Sequence, residues 1–147
     1  MSQDFYLGNP NLKKVGTDIN FTQDQVQEYL KCKEDPVYFA MNYIKIISLD
    51  EGIVPFKMWD FQQELIESFH EHRFNIAKLP RQTGKSTTCV SYLLHYILFN
   101  DNVNVGILAN KLSTARDLLS RLQLAYEQLP LWICLLYTSD AADEGHC

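Results

Sequence analysis

The residues best suited to chemistry stand together at Leu79-Pro80-Arg81-Gln82-Thr83-Gly84-Lys85-Ser86. A Gly-Lys-Ser run that opens a helix after a short strand is suited to holding phosphate groups. Gly84 lets the backbone pass close to an anion, successive amide N–H groups and the helix start offer partial positive charge, and Lys85 reaches the β- and γ-phosphates. Ser86 supplies a hydroxyl for Mg²⁺. The strict pattern opens on glycine, whereas this chain has Leu79 there, followed by Pro80, which has no N–H to donate.

Other groupings are weaker. His70-Glu71-His72 sets two histidines two apart, and on a helix such residues diverge, so a metal there needs further ligands. Tyr92, His95 and Tyr96 fall on the helix after the loop and read as packing or capping groups. No Ser-His-Asp or Cys-His arrangement has more than composition behind it. Cysteines at 32, 89, 134 and 147 lack the close spacing of zinc ligands or of a disulfide scaffold and read as free thiols.

Local signals predict the elements that position the loop. Thr22 with Gln25 three residues later makes a capping box, and Val26, Tyr29 and Leu30 continue at helical spacing to Cys32. Asp35-Pro36 opens a second helix with apolar positions at Val37, Phe39, Ala40, Tyr43, Ile44 and Ile47. A connector over 50–55 leads to a third helix marked by Met58, Phe61, Leu65, Ile66 and Phe69. Residues 74–79 read as a strand, the helix after the loop carries Val90, Leu93, Leu94, Ile97 and Leu98, and 103–109 read as a second strand. Ser113 then caps a helix with Ala115, Leu118, Leu119, Leu122, Ala125 and Leu129 inward. Strand, helix, strand and helix in that order predict an α/β fold with a parallel sheet, right-handed by default.

The 147 residues include 46% hydrophobic and 21% charged, which supports a packed core and argues against disorder, collagen-like structure or coiled coil. Thirteen Lys+Arg against 18 Asp+Glu give a net charge of -5, so the chain carries no broad electrostatic footprint for nucleic acid or an anionic membrane. No apolar run approaches the ~20 residues of a bilayer span. Residues 1–10 lack the pattern of a secretory signal, which favours the cytosol. Residues 134–144 resemble, position for position, the translated read-through of a common transposase-type sequencing adapter, so 134–147 are read as not native. Three of the 18 acidic residues, Asp140, Asp143 and Glu144, lie in that tail, which leaves 15 acidic against 13 basic residues before it.

Arg81-Gln82-Thr83-Gly84-Lys85-Ser86-Thr87 resembles the Walker A loop of the large terminase subunits of tailed bacteriophages. In that family the first glycine is commonly absent and an Arg-Gln pair precedes x-Gly-Lys. Trp59-Asp60-Phe61-Gln62 is similar to the family's aromatic-Gln segment, Asp35-Pro36-Val37-Tyr38-Phe39-Ala40 to the helix before it, and Val105-Gly106-Ile107-Leu108-Ala109-Asn110-Lys111 to the next strand of its motor domain. The likeness covers about residues 9–132. It implies a P-loop NTPase fold, a parallel sheet flanked by helices and preceded by a short helical segment, truncated. The division is then 1–55 leader and N-terminal helices, 56–133 start of the ATPase domain, and 134–147 adapter.

The resemblance further implies ATP and Mg²⁺ as ligands, with Gln62 reading the adenine edge. Gln82, Thr83, Gly84, Lys85, Ser86 and Thr87 would line the nucleotide, Ser86 also touching the metal, and Arg81 would stabilise charge on the γ-phosphate. Lys111 and Arg116 read either as DNA contacts or as solvated surface. Hydrolysis in such a motor also needs carboxylates on a later strand. None is visible before Ile133, and in the family these follow downstream together with a nuclease domain. The implied partners are double-stranded DNA, the portal protein, the small terminase subunit and further copies in a motor on the procapsid, with no membrane. The implied place is the host cytoplasm during assembly rather than the mature virion. Two rivals stay open: a superfamily-two helicase, which also sets a Gln upstream of its phosphate loop, and a helical docking module with a vestigial loop.

Overall fold

The computed structural model describes residues 21–48 and 52–133. The leader over 1–20, Cys134, Cys147 and the adapter-like tail over 134–147 lie outside the described residues.

Helix α1 (Gln23–Glu34) starts on the expected capping box: Gln25 N–H donates to Thr22 Oγ1 at 3.2 Å, and Thr22 N–H to Gln25 Oε1 at 3.0 Å. Asp35 ends α1 by donating its N–H to Lys31 O at 3.1 Å. The same residue starts α2 (Pro36–Tyr43) by accepting Tyr38 N–H on Oδ1 at 2.8 Å, with Pro36 in the first turn. Glu28 clamps the two helices together, since its Oε1 accepts both Tyr38 Oη–H at 2.6 Å and Tyr43 Oη–H at 2.8 Å. Those two hydroxyls hold the Glu28 carboxyl below its ordinary pKa.

The second helix stops at Tyr43, short of the predicted Ile47. Ile44 turns extended, and β1 (Lys45–Ser48) pairs antiparallel with β2 (Gly52–Pro55), Ile46 opposite Val54. The run Ile44, Ile46, Ile47, Ile53 and Val54 is β-branched throughout, which disfavours helix and suits a pleated pair. Ile44 and Ile47, three apart, share a helix face, but along an extended chain they point to opposite sides, Ile44 buried and Ile47 63% exposed, so the helical spacing misplaced this segment.

Helix α3 (Asp60–Glu71) and helix α5 (Leu112–Glu127) both pack against α4 (Lys85–Phe99), as does α2. α5 begins at Leu112, one residue before the expected Ser113 cap, and Leu119 faces solvent rather than the core. The core gathers Phe39, Ile66, Leu94, Leu98, Phe99, Leu129 and Ile133. At its centre Phe39 meets Phe99 edge to face, with ring centroids 5.5 Å apart. His95 is buried among these rings and donates Nε2–H to Cys32 O at 2.9 Å, strapping α4 to α1.

The expected α/β fold with a P-loop NTPase parallel sheet is not what the described residues form. They are mostly helical, and their sheet is the two-stranded antiparallel pair at 45–55. Residues 74–79 and 103–109, predicted as parallel strands, run without a ladder partner among the described residues. Phe74 and Ile76 are 83% and 101% exposed. Over 103–109 the alternation itself is present: Val103, Val105 and Ile107 are half-buried, while Asn104, Gly106 and Leu108 are exposed. Alternation states which side of a segment faces inward but supplies no neighbour for its N–H and C=O groups. Here α4 and α5 pack directly on each other.

Candidate functional site

The loop over 79–84 leads directly into α4, which starts at Lys85 with no side chain capping it. The first amides of a helix have no intrahelical acceptor, so the N–H groups of Lys85, Ser86 and Thr87 stand at the positive end of the α4 dipole. Gly84 precedes them at φ 71, ψ 10, a left-handed conformation that costs glycine little and other residues more. Gln82 is also left-handed, at φ 62. Two such residues within three positions turn the chain sharply ahead of α4.

Side chains fix that turn. Thr83 Oγ1–H donates to Pro80 O at 3.0 Å, and Lys85 Nζ donates to Leu79 O at 3.1 Å and Pro80 O at 3.0 Å. The lysine therefore lies back across its own loop. Pro80 contributes a carbonyl that receives two donors. Arg81 and Ser86 are exposed beside it. Neither Lys85 nor Arg81 makes an ion pair among the described residues.

Gln62 ties the loop to α3. It is 4% exposed; its Oε1 accepts Trp59 N–H at 3.0 Å and its Nε2 donates to Thr83 O at 3.1 Å. A donor at one end and an acceptor at the other admit a single orientation of the amide. A Cβ on Gly84 would fall 2.6 Å from Gln62 Nε2, so glycine is required here by packing as well as by φ. The structure thus places Gln62 against the loop backbone, with its amide ends turned to Trp59 and Thr83. Sequence reasoning singled out Gln62 but not this role, because the contact spans 21 residues and no local pattern encodes it.

The remaining candidates do not converge on the loop. Lys111 and Arg116 are exposed at the start of α5, and no hydrogen bond joins them to it. His70 lies against the rings of Tyr92 and His95, whereas His72 is beyond the end of α3 with Nδ1 3.3 Å from Ser68 O. Tyr92 donates its hydroxyl to Phe69 O at 2.9 Å, and Tyr96 is partly exposed. Cys32 and Cys89 are free thiols; burial raises both, Cys32 to about 12. A cleft of about 360 Å³ lies between β1, α4 and α5, lined among others by Ile44, Ile46, Ser91 and Arg121, and of the loop residues it includes Thr87 alone. The loop is the better candidate, because anion binding at an uncapped helix start needs free backbone amides rather than an enclosed volume.

Among the described residues no three His, Cys, Asp or Glu side chains come together as metal ligands. A cation at Ser86 Oγ would draw its other ligands from phosphate oxygens and water, the usual coordination of Mg²⁺. No helix among the described residues is long and apolar enough to cross a membrane. No family model matches the chain.

Proposed function

We propose that residues 80–87 bind the triphosphate of ATP with Mg²⁺, and that the chain is the N-terminal part of an ATP-driven motor that packages double-stranded viral DNA, a large terminase subunit. The observation that carries the nucleotide reading is the uncapped start of α4, preceded by left-handed Gln82 and Gly84 and spanned by the Lys85 ammonium. The packaging reading rests on the motif resemblance around that loop.

In this reading a phosphate displaces the Leu79 and Pro80 carbonyls from Lys85 Nζ and exchanges two neutral acceptors for charged oxygens, which make stronger bonds. The amides of residues 84–87 would hold the phosphates, Ser86 Oγ would ligate the metal, and Arg81, exposed on the loop, would neutralise charge on the γ-phosphate. Gln62 holds the loop in shape through Thr83 O. Mg²⁺, when bound, would supply charge neutralisation for the phosphates. The portal, the small terminase subunit and further copies of the motor enter as partners of the whole protein.

Thermal unfolding with and without Mg·ATP tests the nucleotide reading. Saturation at 100 times Kd stabilises the folded chain by ~2.7 kcal/mol, and Lys85→Ala abolishes the gain. An unaltered chain that gains nothing from Mg·ATP, or a K85A chain that gains as much, refutes the reading. Packaging by a full-length protein carrying K85A would refute the motor assignment separately.

A further inference from the structure

Whether the loop distinguishes one nucleotide from another depends on what Gln62, the side-chain amide bonded to it, has left to offer a base. In the folded chain that amide is occupied at both ends: Oε1 accepts Trp59 N–H at 3.0 Å, and Nε2 donates to Thr83 O at 3.1 Å. An amide has one further lone pair and one further N–H. Here they are shut in with the rest of the side chain, because Gln62 is 4% exposed and Nε2 lies 2.6 Å from where a Gly84 Cβ would stand.

Turning the amide towards a base gains nothing. Two neutral bonds to the base edge would replace two neutral bonds within the protein, an exchange close to even. The turn would also strip Trp59 N–H of its partner at the start of α3. On the loop it would release Thr83, whose hydroxyl bonds Pro80 O beside Lys85 Nζ. Reading a base would thus loosen the segment that has to hold the phosphates. Phosphates offer the opposite balance, since at Lys85 Nζ they exchange neutral carbonyls for charged oxygens, and every nucleoside triphosphate carries them.

We infer, given the nucleotide binding proposed above, that the loop selects for the triphosphate and is indifferent to the base, with Gln62 a positioning residue that acts through Thr83 O. Its ligands are then nucleoside triphosphates as a class. An amide that read the base would separate the matched base from the others by roughly five-fold or more, the least cost of a buried donor or acceptor left facing the wrong edge.

Isothermal titration of the full 147-residue chain with the Mg²⁺ complexes of ATP, GTP, CTP and inorganic tripolyphosphate reads the outcome. The three nucleotides are expected to lie within about five-fold of one another in Kd, and tripolyphosphate, which has neither base nor ribose, to displace bound ATP. Gln62→Ala weakens all four ligands together, by roughly ten-fold. A wider spread among the nucleotides overturns base indifference while leaving nucleotide binding in place, and the unaltered chain alone decides it. Tripolyphosphate that fails to displace ATP, or a Gln62→Ala chain that loses ATP alone or loses nothing, overturns it as well. Binding of none of the four ligands refutes nucleotide binding itself, and base indifference with it.

Discussion

Substituting alanine for Gly84 perturbs the loop in two separable ways. An L-residue held at φ 71, ψ 10 loses ~1–2 kcal/mol to backbone strain. Its Cβ, 2.6 Å from Gln62 Nε2, also expels the buried amide from between Trp59 N–H and Thr83 O, which adds ~1–3 kcal/mol for polar groups left unsatisfied. Gly84→Ala is therefore expected to cost ~2–5 kcal/mol in the unaltered chain. In a Gln62→Ala background only the strain remains, so the two substitutions together cost ~1–3 kcal/mol less than their sum. Urea unfolding of the four proteins measures this coupling. If Gly84→Ala costs the same with and without Gln62, the glutamine does not hold the loop.

Burial lowers the His95 imidazole from 6.5 to about 4, so the unfolded chain binds the proton more readily. His95 stability is then fully present above pH 6.5 and is lost as the pH falls towards 4, on the order of 3 kcal/mol. His95→Gln should flatten that slope in unfolding free energy against pH. Phe39→Ala empties the site between Phe99, His95 and Tyr43 and should lower the unfolding free energy by ~3–5 kcal/mol, read by urea titration. Arg81→Ala should narrow the preference for ATP over ADP in equilibrium binding while changing ADP affinity little, since Arg81 is assigned to the γ-phosphate alone.

What the sequence disclosed follows the range over which each contact acts. The Thr22–Gln25 box, the Asp35-Pro36 start and the Gly84-Lys85 turn into α4 all complete themselves within a few residues, and each is legible without a structure. The pairing of Lys45–Ser48 with Gly52–Pro55 is not, because Ile44 and Ile47 keep a helical spacing that the β-branched run overrides. The predicted parallel sheet failed for a related reason. Val103, Val105 and Ile107 do face inward together, but pairing depends on a neighbour that alternation cannot name. At the site, Lys85 and Ser86 are visible as residue types. The Gln62–Thr83 tie is invisible in sequence because folding alone brings together residues 21 apart. His95 reads in sequence only as a packing or capping group, and its bond to Cys32 O, 63 residues away, shows how far apart such partners lie in the chain.

Asp35 serves α1 with its backbone N–H and α2 with its carboxylate. No spacer separates the two helices, so the last turn of one cannot unwind without disturbing the first turn of the other. The Glu28 carboxylate between Tyr38 and Tyr43 couples them a second time, at the middle of α1. Residues 22–43 are thus expected to open to solvent as one cooperative unit. The amides of α1, on a helix with a single fully buried side chain, Cys32, would exchange their hydrogens in step with those of α2, at a rate set by Phe39 and Ala40 in the core rather than by the exposed surface of α1 itself.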